Sequence, residues 1–118
     1  MTDNREAATG CRDTVIRVGE PLITLINVFT VDPAAQTRLV ALLDDATEQV
    51  MRHRPGFISA NIHASLDGTK VVNYAQWRSQ DDFEAMLADE RAQSHMREAA
   101  GLAQFEPNLY RVASVHHE

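Results

Sequence analysis

"FISANIHASLDGTKVVNYAQW", residues 57–77, sets two runs of β-branched, aromatic and small residues around Asp67–Gly68. An Asp-Gly pair between such runs is a strong short-range hairpin signal. The stretch therefore reads as a strand over 57–66 and a second strand over 69–78. If Asp67–Gly68 is a two-residue turn, Leu66 faces Thr69. Ala64 then faces Val71, Ile62 faces Asn73, Ala60 faces Ala75 and Ile58 faces Trp77. Successive strand side chains point to opposite faces, so these eight residues share one face. Asn73 is its single polar member, and the face is expected to meet helices. The other face carries Ser59, Asn61, His63, Val72, Tyr74 and Gln76, a mixture that suits a subunit interface.

Working outward, "LITLINVFTV" (22–31) reads as a strand. Its more apolar face is Ile23, Leu25, Asn27, Phe29 and Val31, again with one Asn in the middle. Asp32–Pro33 marks a helix start, since Asp caps and Pro tolerates the first turn. Leu39, Leu42, Leu43, Ala46 and Val50 recur at helical spacing. Arg52, His53 and Arg54 suit the negative end of that helix, and Pro55–Gly56 stops it. "SQDDFEAMLADE" starts a helix at Ser79, with Phe83, Met86 and Leu87 on one side. "AQSHMREAAGL" (92–102) is also helical, and "NLYRVASV" (108–115) reads as the last strand.

The order β-α-β-β-α-β is the ferredoxin-like α+β arrangement: one antiparallel sheet with helices on one face. The second face stays uncovered in one chain and calls for a partner if apolar. Residues 1–20 read as a flexible N-terminal arm, and 21–118 as one domain. The chain has 118 residues, enough for one core. A net charge of −6 without a Lys/Arg cluster argues against nucleic acid and anionic membranes as partners. The N-terminal stretch lacks the apolar core of a signal peptide, so a cytoplasmic location is expected. The five histidines show no metal spacing, and the single Cys11 has no context that argues for a nucleophile.

Two asparagines aimed into one apolar layer admit two readings. Each bonds a backbone group or a buried water, or they are the polar points of a small-molecule pocket beside Trp77. Phe83 and Met86 are candidate walls of such a pocket.

The segment 54–77 resembles the antibiotic biosynthesis monooxygenase family, through "PGF", "H-x-S-x-D-G" and "N-Y-x-x-W". The likeness covers roughly residues 22–112. It implies a homodimeric α+β barrel in which two sheets meet. It further implies oxidation of a polycyclic phenol, anthrone or hydroquinone to a quinone by O2, as in aromatic polyketide biosynthesis, with no metal, flavin or haem. The family's strand Asn and Trp fall on Asn73 and Trp77, and its helical Arg on Arg97. By chemistry, Asn73 bonds ring oxygens, Trp77 walls the ring, and Arg97 holds an anion. Arg97 reads equally as part of a solvated helix face. Relatives can carry a proton-carrying Tyr where this chain has Phe83, which excludes that route. His63 matches a His of the polyketide-tailoring members, but it falls on the face away from the helices.

Haem-degrading enzymes of the same fold are the alternative resemblance. They share the Asn at Asn27 and an iron-ligating His at His95, but their second-helix Trp is missing from "FEAMLADE". A non-catalytic small-molecule-binding module is the third reading.

Overall fold

Three runs of β-branched and aromatic residues and one more polar run pair into a single four-stranded sheet. The computed structural model describes residues 12–118, so Cys11 and the first part of the arm lie outside the described residues. The strands are β1 (Ile23–Val31), β2 (Phe57–Ala64), β3 (Lys70–Trp77) and β4 (Ala103–Tyr110). They lie in the order β2-β3-β1-β4, and every neighbouring pair is antiparallel. The helices are α1 (Gln36–Gln49), α2 (Gln80–Leu87) and α3 (Glu90–Leu102). This is the ferredoxin-like α+β fold. Among the described residues, no helix is long and apolar enough to cross a membrane.

The two expected helix starts carry side-chain caps, Asp32 on the 3-10 turn that precedes α1 and Ser79 on α2, and Asp89 adds a third on α3. Asp32 Oδ1 accepts from the Ala34 N–H at 2.9 Å, and a 3-10 turn over Pro33–Ala35 leads into α1. Ser79 Oγ accepts from the Asp82 N–H at 3.1 Å. Asp89 Oδ1 accepts from the Arg91 N–H at 2.8 Å, and this bond is the first cause that holds the Asp89 carboxyl below its ordinary range. The helices bury Leu39, Ala46, Phe83, Met86, Ala92 and Ala99 against Leu25, Phe29, Val71, Ala75 and Trp77 of the central strands.

The helix after β1 ends earlier than expected. α1 stops at Gln49, and a 3-10 turn over Met51–His53 follows, because Val50 leaves the helical region to bury its side chain. The basic residues still serve the helix end: Arg52 pairs with Glu48 at 2.7 Å, and the His53 ring bonds the Glu48 carbonyl at 3.1 Å. Gly56 then has φ +86°, and a Cβ there would overlap the Asp82 side chain.

The hairpin keeps the expected register from Ser59 to Ala64, with Ile62 opposite Asn73 and Ala60 opposite Ala75. Its turn, however, is a four-residue loop, Leu66–Thr69. The Ser65 N–H donates to the Lys70 carbonyl at 3.0 Å and closes it. Two- and four-residue loops share one centre, so the strands pair alike with either. A bulge at Ile58 breaks the register at the far end. Phe57, not Ile58, faces Trp77, and Ile58 turns outward, 37% exposed.

The last strand is the largest correction. It runs over Ala103–Tyr110, straight out of α3, rather than over 108–115. Pro107 sits inside it, which an edge strand tolerates because the missing N–H interrupts few ladder bonds. Phe105 faces Phe29 across the pair, with ring centres 5.4 Å apart.

The outer sheet face is not bare within one chain. The Gln76 amide donates to the Val15 carbonyl at 2.9 Å, and the Thr14 hydroxyl donates to Asn61 Oδ1. Residues 12–20 thereby cross part of that face, leaving Thr24 and Gln76 buried. Val15, Ile16 and Val18 of this segment stay about half exposed.

Candidate active site

The helix-covered face of the sheet does not close completely against α1, α2 and α3. Between them lies a cavity of about 340 Å³. Its floor is formed by side chains of β1, β3 and β4, and its roof by Leu42, Ala46, Met86 and Met96 from the helices. The lining is overwhelmingly apolar with a few polar groups, the usual make-up of a small-molecule site.

Asn27 and Asn73 stand directly opposite one another on β1 and β3, in the middle of the floor. Each Oδ1 is buried and has no hydrogen-bond partner in the protein. A buried amide group left unpaired costs about 1–3 kcal/mol. Two of them side by side are therefore not packing devices. A half turn of either side chain exchanges its oxygen and its NH2, so the pair can accept from a hydroxyl or donate to a carbonyl or phenolate.

Trp77 is 1% exposed and forms one end of the cavity. Phe57 meets it edge-on, with centres 5.6 Å apart and planes at 88°; Phe83 lies at 6.1 Å and 69°. These contacts fix the indole plane as a flat wall. Phe83 and Met86 come from one side of α2, as their spacing requires.

His95 reaches the cavity from α3. Its Nδ1 lies 2.9 Å from the Arg91 carbonyl oxygen, one helical turn back. A carbonyl only accepts, so Nδ1 carries a proton, and in the neutral ring the lone pair lies on Nε2. Thr47 also lines the cavity, and its hydroxyl proton is spent on the Leu43 carbonyl at 2.9 Å. Toward a ligand it can only accept.

The structure thus brings Asn27, Asn73, Trp77, Phe83, Met86 and His95 together. It does not bring Arg97 or His63 to them. Arg97 is exposed and absent from the cavity wall. Two residues along a helix turn by about 200°, so a cavity-facing His95 sends Arg97 to the opposite side. His63 is exposed on the outer face, opposite Val72, with Nδ1 3.3 Å from the Asn61 carbonyl. Thr47 and Phe105 went unread in the sequence. Thr47 follows Leu43 by one turn on the apolar stripe, which was a usable signal. Phe105 lies in a segment that did not read as a strand. Among the described residues, no group of three or more His, Cys, Asp or Glu side chains is placed to hold a metal ion.

Comparison with known proteins places the fold and the family. A family model described as antibiotic biosynthesis monooxygenase matches residues 22–100. Tetracenomycin-F1 monooxygenase of Streptomyces glaucescens is 57% identical over 74 residues, 63% of this chain and 66% of that protein. The chain thus matches just under two thirds of that relative's length. A monooxygenase from the gene ActVA-Orf6 of Streptomyces coelicolor, solved with nanaomycin D, superposes with a TM-score of 0.73. It is 32% identical, over 81% of this chain and 91% of that one. SnoaB of Streptomyces nogalater, a cofactor-independent oxygenase, superposes with a TM-score of 0.68 at 25% identity, over 83% and 99%.

Proposed function

The chain belongs to the antibiotic biosynthesis monooxygenase family, and from that premise we propose that it is a cofactor-independent monooxygenase that oxidises a polycyclic phenol, anthrone or hydroquinone to a quinone with O2. The observation that carries this reading is the pair of unpartnered amides, Asn27 and Asn73, opposite one another on the floor of an apolar cavity walled by Trp77.

The arrangement suits such chemistry. A flat aromatic substrate lies against Trp77 and presents its ring oxygens to the two amides. Amides serve both protonation states, accepting from a phenol and donating to a phenolate. In a water-poor cavity those bonds favour the anion more than they would in water. An electron-rich anion reduces O2 itself. Four electrons leave the substrate, one oxygen atom enters the ring as a carbonyl, and the other leaves as water. The protein binds, excludes water and orients.

The deciding experiment is aerobic incubation with a dihydroxyanthrone, followed by quinone absorbance and oxygen uptake. The expected result is a rate well above buffer, with one O2 consumed per quinone and no loss after treatment with a chelator. No acceleration on any anthrone or hydroquinone overturns the reading. A Soret shift on adding haem at micromolar protein instead favours haem degradation.

We also infer that a second copy of the chain covers the rest of the outer sheet face, where Tyr110 and Ile16 expose apolar surface. Light scattering that gives the mass of one chain at micromolar concentration removes that inference.

A further inference from the structure

The oxidation proposed above begins with loss of a proton, and Phe83 has no hydroxyl with which to carry one. The cavity wall supplies one titratable side chain among the described residues, His95. The other polar side-chain groups there are amides, one hydroxyl and the Trp77 indole N–H, none of which takes up a proton near neutral pH. We propose that His95 is the proton acceptor of the reaction, taking the substrate's phenolic or enolic proton on Nε2. This rests on the oxidation reading.

The local structure prepares His95 for that role. Its Nδ1 proton is held by the Arg91 carbonyl at 2.9 Å, which fixes the ring and directs the free lone pair to Nε2. The same bond steadies the imidazolium once Nε2 is protonated, because the partner still only accepts. The elements packed against α3 present apolar side chains to the cavity: Leu42 and Ala46 from α1, Phe83 and Met86 from α2, Phe105 and Leu109 from β4. No second charged group from α1, α2 or β4 lines the cavity and competes for the proton. Arg91 on the same helix is exposed and paired with Asp89, with 3.7 Å between the charged atoms.

The steps balance. The substrate O–H bond breaks as Nε2–H forms, leaving an anion held by Asn27 and Asn73. The anion passes one electron to O2, and the resulting radical pair joins carbon to oxygen as a peroxide anion. The Nε2 proton moves to that peroxide. Nε2 then takes the remaining proton from the same carbon as the O–O bond breaks, and returns it to the departing hydroxide. The products are a quinone carbonyl and one water, and His95 ends neutral.

The test compares wild type with His95→Asn and His95→Ala. On a dihydroxyanthrone, kcat of His95→Asn is expected to fall by about a hundredfold or more, the usual size of acid-base assistance. Added imidazole is expected to recover part of the rate in His95→Ala and none in wild type. A second measurement needs no turnover. Bound 2-hydroxyanthraquinone is already oxidised, and its visible phenolate band is expected at lower bulk pH with wild type than with His95→Asn. If both variants stay within twofold of wild type, or if the phenolate band is indifferent to residue 95, His95 is not the acceptor. If wild type itself oxidises no anthrone, the functional reading falls, while the phenolate band still judges His95. Should His95→Ala melt early, His95→Gln replaces it in the rate comparison, and the band decides.

Discussion

The two faces of the sheet carry the same kinds of amide and treat them in opposite ways. On the outer face, Gln76 accepts from the Ser59 hydroxyl at 2.7 Å and donates to the Val15 carbonyl at 2.9 Å. Asn61 donates to the Tyr74 carbonyl at 3.0 Å and accepts from Thr14. On the inner face, Asn27 and Asn73 have buried oxygens with no partner. Only the parity of the position separates Asn73 from Gln76, three residues apart on β3. Amides that are fully bonded hold segments of chain together. Amides left unbonded over a cavity cost stability and gain a use only when something else binds. Among the amides, the contrast marks the inner face as the one to test for a ligand, although the outer face has an unpaired atom of its own in the Thr24 hydroxyl.

Trp77 gives the largest expected effect, because it belongs to the inner face and yet is not an orphan. Trp77→Ala removes a ring that is 1% exposed and packed on Phe57 and Phe83. The expected loss is about 3–5 kcal/mol in urea unfolding, with anthrone oxidation abolished. Stability that hardly moves would break the picture of Trp77 as a rigid wall.

Asn73→Ala and Gln76→Ala form the sharper pair. Asn73→Ala is expected to lower kcat by about 10²–10³-fold, the usual cost of removing one donor to a developing anion. Its stability is expected to hold or rise, since an unpaired buried group is removed. Gln76→Ala is expected to do the reverse. It loses about 1–3 kcal/mol by stranding the Val15 carbonyl, and it leaves kcat near wild type. Both quantities come from one set of purified variants. An Asn73→Ala protein that unfolds early but oxidises normally would reverse the assignment of the faces.

The faces themselves were legible in the sequence. Alternation over positions such as Ile62 and Ala64, opposite Asn73 and Val71, fixed the pairing, and it did so whatever the loop length. A slip of one residue would have thrown every apolar side chain of β2 outward. Asn27 could be placed in the same layer by its own alternation, although its position directly opposite Asn73 required the pairing of β1 with β3. The last strand was not legible. "AQFEPNLY" contains a proline and several polar residues, and an edge strand with one open side imposes little pattern. The bulge at Ile58 was also hidden, because an apolar Phe57–Ile58 pair reads equally well with either residue inward. The cavity had no signature at all, since its depth depends on how far α1 and α3 stand off the sheet. Arg97 illustrates the limit of spacing along the chain: a matching distance from Trp77 says nothing about which side of α3 the residue takes.

The smallest expected effect tests the loop that joins β2 to β3 and closes their pairing. Asp67 Oδ1 accepts from the Thr69 N–H at 3.0 Å, the Ser65 hydroxyl at 2.8 Å and the Thr69 hydroxyl at 2.8 Å. The Thr69 backbone bond, then those two hydroxyls, lowers its pKa from the ordinary 3.8 to about 2. A carboxyl lowered in the folded state contributes stability above its unfolded value and loses it as pH falls through the folded one. The stability difference between wild type and Asp67→Ala is therefore expected to be constant above about pH 4 and to vanish toward pH 2. The side chain is exposed, so the difference is small, and the carboxyl carbon shift in an NMR titration is the better measure. Titration of Asp67 at its ordinary value would remove the loop's hold on the register. Pinning would then fall to Gln36, whose amide bonds the Ser65 carbonyl at 3.0 Å and the Lys70 carbonyl at 2.9 Å from the start of α1.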